Sequence, residues 1–448
     1  MSAVTARKSP AFLEKSVIYQ IFLRAFTPEG TLSAAAAMLP HIKSIGADIV
    51  YLCPITEADG DDNREYWSDR QKKSAIGNPR NPYRLSDYFR IDPEYGTDDD
   101  LRAFIATAHA TGLRVMLDLV YYHCGPRARL IDEHPDYVVR DEKGEIKMGA
   151  WHFPELNYAN PALREYLWGN MEYFVREFGV DGFRCDASGN VPRDFWEEGR
   201  RRVEKIRPDI VMLAEDDKGE NEIEAFDLCY FFAMPYVWKE MFGATHPISK
   251  IQDDWRKMRE STLPGHKVIL GIDNHDTVTD EYDQRGEKRL GHRAADAGLA
   301  LVFTLPGVPL IYNGFEVADT RRHSIWGNRF FGGQLIIDWQ NALTAEGQSR
   351  LKLLRELAAL RRCCPALTRG EPEWMIGENH IAYRMAADGE QVLVVLNPRP
   401  GAQTVQVALP QGAHEPVTKL SRNAEWQKGE NGQLQVTLLG YGFTIIGC

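Results

Sequence analysis

The chain has 448 residues, more than one hydrophobic core usually supports, so the sequence predicts a large domain and a smaller one. Hydrophobic residues make up 44% of the chain, enough for a buried core. The net charge of −11, without a basic stripe, argues against nucleic acid as a partner. No stretch reaches the ~18 apolar residues of a membrane helix, so no membrane partner is expected.

Two features of the sequence favour a cytoplasmic protein. The first ten residues lack the apolar core of a signal peptide, and the first apolar run is interrupted by Gln20. The seven cysteines are odd in number, scattered, and mostly inside apolar segments, which is typical of reduced thiols.

Eight short apolar runs alternate with longer amphipathic segments, the pattern of parallel strands joined by helices. Eight is the number of strands that closes a (β/α)8 barrel, the TIM barrel fold. The predicted strands are 17–23, 49–52, 114–120, 182–186, 210–215, 228–232, 268–273 and 308–312. Helices are predicted, among others, at 98–111, 161–178, 193–206 and 293–303.

The lengths of the connections predict the domain organisation. Residues 54–97 and 121–160 are too long for ordinary loops between a strand and a helix, and the second follows strand 3. Beyond Pro365 helical periodicity stops, and β-type runs appear between Gly, Pro and Asn turns. We expect a catalytic barrel at 1–120 and 161–365, an inserted subdomain at 121–160, and a C-terminal antiparallel β domain at 366–448.

Three of the predicted strands lead directly into a carboxylate. These carboxylates are Asp186, Glu215 and Asp276. A single acid is usually a helix cap or a surface residue, but three in series at strand ends converge at the carboxyl end of a barrel, where such folds keep their chemistry. Two carboxylic acids facing one bond are the groups used in glycoside hydrolysis.

The segments around these acids resemble the motifs of the α-amylase family, glycoside hydrolase family 13. The matching segments are 116–123 (MLDLVYYH), 182–186 (GFRCD), Glu215, and 274–276 (NHD), with weaker agreement at 153–157 and 307–316. The resemblance implies that Asp186 is the nucleophile, Glu215 the acid/base, and Asp276 the carboxylate that grips sugar hydroxyls. It implies substrate contacts for Tyr83, Asp118, His123, Arg184 and His275.

The expected chemistry sets requirements on the pKa values of these groups. Arg184 lies two residues before Asp186, on the same face of the strand, and is expected to lower the pKa of that nucleophile. Glu215 needs a raised pKa, from burial or neighbouring carboxylates. His123 and His275 are expected to donate hydrogen bonds to sugar hydroxyls, and Tyr83 to stack under the reacting sugar.

Four aromatic residues of the long loops are candidates for outer sugar contacts, although such residues more often pack in small cores. They are Trp151, Phe153, Trp326 and Phe330.

The chain departs from the family pattern where the resemblance implies calcium and substrate contacts. Tyr122 replaces the usual Asn, and Gly189-Asn190 replace the usual Lys-His. The loop after the first strand has one carboxylate, Glu29, whereas calcium needs roughly six to eight oxygen ligands. The sequence therefore predicts no metal site, no cofactor, and activity without calcium. The acidic pair Asp216-Asp217 has no evident role beyond raising the pKa of Glu215.

The expected function is retaining hydrolysis of α-1,4-linked glucan or maltooligosaccharide through a covalent glycosyl-enzyme. The small Ala187, directly after the nucleophile, favours α-1,4 over α-1,6 bonds on the family pattern. The alternatives are transglycosylation at the same site, a non-catalytic binding relative, and a metal-dependent hydrolase built on His123, Asp186 and His275. The sequence does not distinguish internal from terminal attack, nor does it indicate the oligomeric state.

Overall fold

The computed structural model describes residues 4–278, 285–409, 414–429 and 432–448. The first eight strands close into a parallel barrel in chain order, which confirms the predicted (β/α)8 fold. The barrel strands are β1 (Ile18–Ile21), β2 (Ile49–Leu52), β3 (Arg114–Leu119), β4 (Gly182–Cys185), β5 (Val211–Ala214), β6 (Leu228–Tyr230), β7 (Val268–Leu270) and β8 (Val308–Tyr312).

The barrel closes where the first strand pairs with both the second and the last. Gln20 of β1 lies opposite Tyr51 of β2 on one side and Tyr312 of β8 on the other. Because side chains alternate along a strand, residues in register share a face of the barrel wall. Tyr51 and Tyr312 belong to the apolar cluster that fills the barrel, whereas Tyr19 of β1 packs in the core beneath the helices.

The α-helices lie between the strands and around the C-terminal sheet. They are α1 (Leu23–Phe26), α2 (Leu32–Ala36), α3 (Leu39–Ser44), α4 (Asp69–Lys73), α5 (Asp98–Ala110), α6 (Arg129–Glu133), α7 (Pro161–Tyr173), α8 (Arg193–Ile206), α9 (Met234–Phe242), α10 (Lys250–Ser261), α11 (Gly286–Leu290), α12 (His292–Thr304), α13 (Ala345–Cys363) and α14 (Pro365–Arg369). No helix in the described part of the chain is both long and apolar enough to cross a membrane.

The segment that follows β3 forms a compact unit held by isolated β-bridges. His123 pairs with Glu155 at its base, and Arg140 pairs with Ile146 in an antiparallel hairpin. The hairpin turn is closed by the N–H of Gly144, which donates to the carbonyl of Asp141. The two ends of the insertion are therefore joined to each other where it leaves and re-enters the barrel.

The C-terminal part forms an antiparallel sheet of six strands in the order β12-β14-β11-β10-β9, with β13 also paired to β14. Its strands are β9 (Glu373–Trp374), β10 (Ile381–Ala387), β11 (Glu390–Leu396), β12 (Gln403–Ala408), β13 (Val417–Lys428) and β14 (Gln433–Gly447). The expectation that helical structure ends at Pro365 was wrong, because α14 begins there. Proline suits the first position of a helix, where its missing N–H is not needed.

Candidate active site

A cleft of about 220 Å³ opens at the carboxyl ends of the barrel strands. Asp118 and Arg184, although expected to contact substrate, do not line it, and their side chains are fully buried beneath it. The structure brings the other six expected residues to its wall, namely Tyr83, His123, Asp186, Glu215, His275 and Asp276.

The buried guanidinium of Arg184 holds the carboxylates together. Its Nη1 donates to Asp186 Oδ1 at 2.8 Å and to both oxygens of Asp118 at 2.8 and 2.9 Å. Its Nη2 forms an ion pair with Glu215 Oε1. Arg184 thus positions Asp186 and Glu215 as neighbours, since adjacent nitrogens of one planar group contact both.

Strand register explains why these side chains meet. Asp118 of β3 lies opposite Arg184 of β4, so both point to the same side of the barrel wall. Asp186 directly follows β4, and Glu215 directly follows β5. Each acid is therefore carried to the rim by a short buried strand.

The pKa values of the two adjacent acids are raised. Burial raises the pKa of Glu215 to about 7, with the charge of Asp276 adding and Arg184 opposing. Burial and the charge of Glu215 also raise the pKa of Asp186 well above its usual value. The expectation that Arg184 lowers the pKa of Asp186 was wrong in its net result, because burial and Glu215 outweigh the guanidinium. One proton shared between Asp186 and Glu215 relieves their repulsion.

The environment of Asp276 lowers the pKa of its carboxyl group instead of raising it. Although burial opposes ionisation, His275 and Arg70 lower the pKa of Asp276 to about 2. Arg70 Nη1 donates to Asp276 Oδ1 at 2.9 Å, and His275 Nε2 lies 3.4 Å from Oδ2. Asp276 is therefore the carboxylate that stays ionised while the other two share a proton.

A chain of hydrogen bonds orients His275. Gln20 Nε2 donates to His275 Nδ1 at 2.7 Å, so the ring proton is on Nε2 and is directed to the Tyr83 hydroxyl, also at 2.7 Å. That hydroxyl in turn donates to Asp118 Oδ2 at 3.1 Å. The rings of Tyr83 and His275 stack with centroids 5.3 Å apart. Gln20 and Asp118 thus fix the cleft wall without reaching the cleft.

His123 offers an acceptor rather than the expected donor. Its Nε2 donates to the carbonyl of Tyr83 at 2.7 Å, and burial lowers the pKa of His123 to about 4. The neutral ring therefore has its lone pair on Nδ1, a buried atom without a hydrogen-bond partner in the described structure.

Ala187, the residue after Asp186, has an unusual backbone conformation. Ala187 has a φ of +43°, in the left-handed region that non-glycine residues rarely adopt. This conformation directs the N–H of Ala187 at Glu215 Oε2, to which it donates at 2.8 Å. Strained backbone of this kind is found where a site needs one particular orientation.

Asp216 has a structural role that the sequence did not reveal. Its Oδ2 accepts hydrogen bonds from Ser188 Oγ at 2.7 Å and from Asn221 Nδ2 at 2.8 Å. It thereby ties the loop after β4 to the loop after β5. The main causes that raise the pKa of Glu215 are burial and the charge of Asp276.

Aromatic residues surround the cleft unequally. Trp151, Phe153 and Trp326 line it, and Phe153 packs on His123 with ring centroids 4.9 Å apart. Phe330, also a candidate, is 64% exposed and lies outside the cleft wall.

A second cleft shares Glu215 and Asp276 with the first and carries the exposed rings of Phe232 and Tyr236, which the sequence analysis missed.

At the insertion site, Tyr122 and Asn190 are the two residues where the resemblance implies calcium ligands, and both have other surroundings. The Tyr122 hydroxyl donates to Glu155 Oε1 at 3.0 Å, and Lys147 Nζ lies 2.9 Å from the other oxygen of the same carboxylate. The Glu155 carboxylate beside Tyr122 is therefore already paired with an ammonium group. Asn190, at the other position, is exposed and ends a short 3-10 helix.

Comparisons with known proteins agree with this arrangement of a barrel and a carboxylate cleft. The family model for the α-amylase catalytic domain matches residues 15–148 and 141–349. The chain belongs to the α-amylase family, glycoside hydrolase family 13, as the sequence motifs had indicated.

Similar proteins are known among curated sequences and solved structures. A cyclomaltodextrinase from a Bacillus species is 26% identical over 89% of this chain and 75% of its own length. Neopullulanase 2 from Thermoactinomyces vulgaris is 26% identical over 98% of this chain and 78% of its own length. The crystal structure of a noncanonic maltogenic α-amylase, AmyB from Thermotoga neapolitana, superposes with a TM-score of 0.81 at 25% identity, covering 97% of this chain and 99% of that one.

Proposed function

We propose that the protein is a retaining glycoside hydrolase that cleaves α-1,4-glucosidic bonds in glucan or maltooligosaccharide. The observation that supports this most directly is the pairing of Asp186 and Glu215 on one guanidinium. Retaining enzymes hold their two carboxyl groups roughly 5 to 5.5 Å apart, whereas inverting enzymes leave room for a water between them. Two acids on adjacent nitrogens of Arg184 suit the closer spacing.

In the first step Glu215 donates its proton to the leaving oxygen, and Asp186 attacks the anomeric carbon to form a covalent glycosyl-enzyme. The raised pKa of Glu215, about 7, keeps it protonated for this step. When substrate displaces water, Asp186 must attack as the carboxylate, and the hydrogen bond that Arg184 Nη1 donates to Asp186 supports its charge.

In the second step Glu215 takes a proton from water, which releases the sugar from Asp186 with its original configuration. Asp276, ionised because His275 and Arg70 hold its pKa at about 2, is available to accept hydrogen bonds from sugar hydroxyls. Tyr83, His123 and His275 would form the wall around the reacting ring. Asp118 and Arg184 would position the acids from below.

Three further assignments belong to this proposal. The substrate class follows from the carboxylate cleft and from the activities that the names of the relatives state, cyclomaltodextrinase and maltogenic amylase. The domains are proposed at 1–120 with 161–365, at 121–160, and at 366–448. The reduced cysteines, seven free thiols, support a cytoplasmic location.

Proton NMR of the first product tests the mechanism. A retaining enzyme acting on maltotriose releases the α-anomer before mutarotation, and early release of the β-anomer would contradict the proposed roles of Asp186 and Glu215. Product sizing at high acceptor concentration separates hydrolysis from transglycosylation. Products longer than the substrate would identify a transglycosylase.

A further inference from the structure

Three buried side chains from separate segments meet beside β6, away from the cleft wall. Glu222 ends the 3-10 helix Gly219–Glu222, Cys229 lies within β6, and His266 precedes β7. Each of the three residues is at most 3% exposed. None of them has a role in the glycosidase mechanism.

Their ligand-type atoms are close together. Cys229 Sγ lies 3.2 Å from His266 Nε2, and His266 Nδ1 forms an ion pair with the Glu222 carboxylate. One thiol sulfur, one ring nitrogen and one carboxylate oxygen from the three residues all lie within 4.8 Å of one another. Among the residues that the structure describes, this is the only group of three or more such side chains near enough to share an ion.

In the described structure the cluster has no arginine or lysine partner, and only a protonated His266 would bring a positive charge to it. His266 is the only ion-pair partner of Glu222 among the described residues. A buried acid beside a buried thiol is costly unless a cation balances them.

A path from solvent reaches two of the three side chains. Cys229 and His266 line a cleft of about 340 Å³ between the start of α9 and helix α10. The exposed Asp217 lies at the same cleft, and Asp254, Ser261 and Thr262 add polar groups to its wall. An ion could enter here, and a water could complete its coordination.

We propose that Glu222, Cys229 and His266 bind one zinc-class divalent cation, with a water from this cleft as the fourth ligand. Zinc accepts thiolate, imidazole and carboxylate at about 2.0 to 2.3 Å in a tetrahedral arrangement, which separates ligand atoms by roughly 3.3 to 3.8 Å. The Cys229 and His266 atoms, 3.2 Å apart, are close to this separation, and the carboxylate of Glu222 lies within 4.8 Å of both. Loss of the thiol proton gives two anionic ligands that balance the charge of the ion.

This proposal replaces the expectation that the chain has no metal site. The three residues have no zinc-type spacing in the sequence because each comes from a different segment around the barrel, so only the fold brings them together. The predicted consequence of binding is stabilisation, since an ion bound only by the folded state raises the melting temperature by mass action.

The test uses tag-free protein from which metal has been removed by dialysis against a chelator. Calorimetry measures the binding of added zinc, and metal analysis after gel filtration counts the zinc that stays bound. We expect one zinc per chain and a higher melting temperature. Cobalt in place of zinc should give a thiolate-to-metal charge-transfer band in the near ultraviolet. Cys229→Ser should abolish this band and weaken zinc binding by roughly 10- to 100-fold or more.

The matched control is Cys363→Ser, which removes an exposed thiol and should leave zinc affinity and the cobalt band unchanged. Glu222→Gln supplies a second variant that keeps the thiol and the size of the side chain, and it should also bind zinc at least about tenfold more weakly. Zinc binding with equal affinity in the parent, Cys229→Ser and Glu222→Gln would overturn the proposal, as would the absence of binding to the parent. Because these measurements do not use turnover, they stand apart from any test of the glycosidase function.

Discussion

Arg70 Nη1 donates a 2.9 Å hydrogen bond to Oδ1 of Asp276. The arginine belongs to α4, inside the long connection after β2, whereas Asp276 follows β7. The contact therefore joins an inserted loop to the barrel rim at the carboxylate expected to grip the substrate. No family motif in the sequence pointed to Arg70.

Loss of the Arg70 charge should shift the acid limb of the pH profile. His275 and Arg70 together hold the pKa of Asp276 at about 2, so this carboxylate is ionised at any higher pH. In Arg70→Ala the pKa should rise, and kcat/KM should begin to fall at a higher pH than in the parent enzyme. Arg70→Lys keeps the charge and should show a smaller shift. Identical acid limbs in all three proteins would show that Arg70 does not influence Asp276.

Asp186→Asn should lower kcat on maltotriose by at least ~3 orders of magnitude, because an amide cannot act as the nucleophile. Folding should be preserved, since burial and Glu215 already favour the neutral form of this side chain. Asp217→Asn is the matched control, an exposed Asp close to Glu215 that should retain activity. A loss of less than about tenfold, ~1.4 kcal/mol of barrier, would contradict the role of Asp186.

Glu215→Gln should slow the cleavage of substrates with poor leaving groups far more than that of substrates with good ones, because only poor leaving groups need a proton. An α-glucosyl fluoride should remain a measurable substrate while maltotriose does not. In the parent enzyme Glu215 must be protonated, so kcat/KM should be high below its pKa of about 7 and fall as the pH rises through it. If the fluoride and the oligosaccharide lose activity equally, Glu215 is not the acid.

Ala187→Val should reduce activity by about tenfold or more, equivalent to roughly 1.4 kcal/mol. A β-branched residue does not adopt the φ of +43° found at Ala187 without strain, and the displaced N–H would no longer reach Glu215 Oε2. Ala187→Gly tolerates this conformation and should keep most activity.

Activity assays on two disaccharides test the linkage preference. The parent enzyme should cleave maltose faster than isomaltose, and the opposite order would refute the α-1,4 prediction.

Calcium removal should leave both activity and melting temperature unchanged. Lys147 already pairs with Glu155 beside Tyr122, where the resemblance places a calcium ligand in other members. Metal-free protein titrated with calcium in the absence of zinc distinguishes this prediction from zinc binding at Glu222, Cys229 and His266. A melting temperature that rises with added calcium would reveal a site formed by backbone carbonyls.

The sequence predicted much of the barrel because its strands are short, fully buried and regularly spaced. Val308–Tyr312 was predicted with its observed bounds, and Asp186 and Glu215 were found because each directly follows such a strand. Arg70, Gln20 and the Ala187 N–H were missed because their roles depend on contacts between distant segments. No periodicity encodes such contacts.

The pKa prediction for Asp186 failed for a related reason. Sequence proximity correctly identified Arg184 as its partner, but the balance between one guanidinium and the burial of several acids depends on the folded environment. Similarly, the acceptor on His123 is determined by the Tyr83 carbonyl, which the family motif does not include.

The pairing of β1 with β8 has a consequence for how the chain folds during synthesis. Until Val308–Tyr312 has left the ribosome, β1 has only one neighbour, and the growing sheet has two open edges. Such edges are templates for pairing with other chains, and contacts between distant parts of a sequence form slowly. The barrel therefore cannot close before the eighth strand is available. Until most of its length has been made, the nascent chain depends on protection from aggregation.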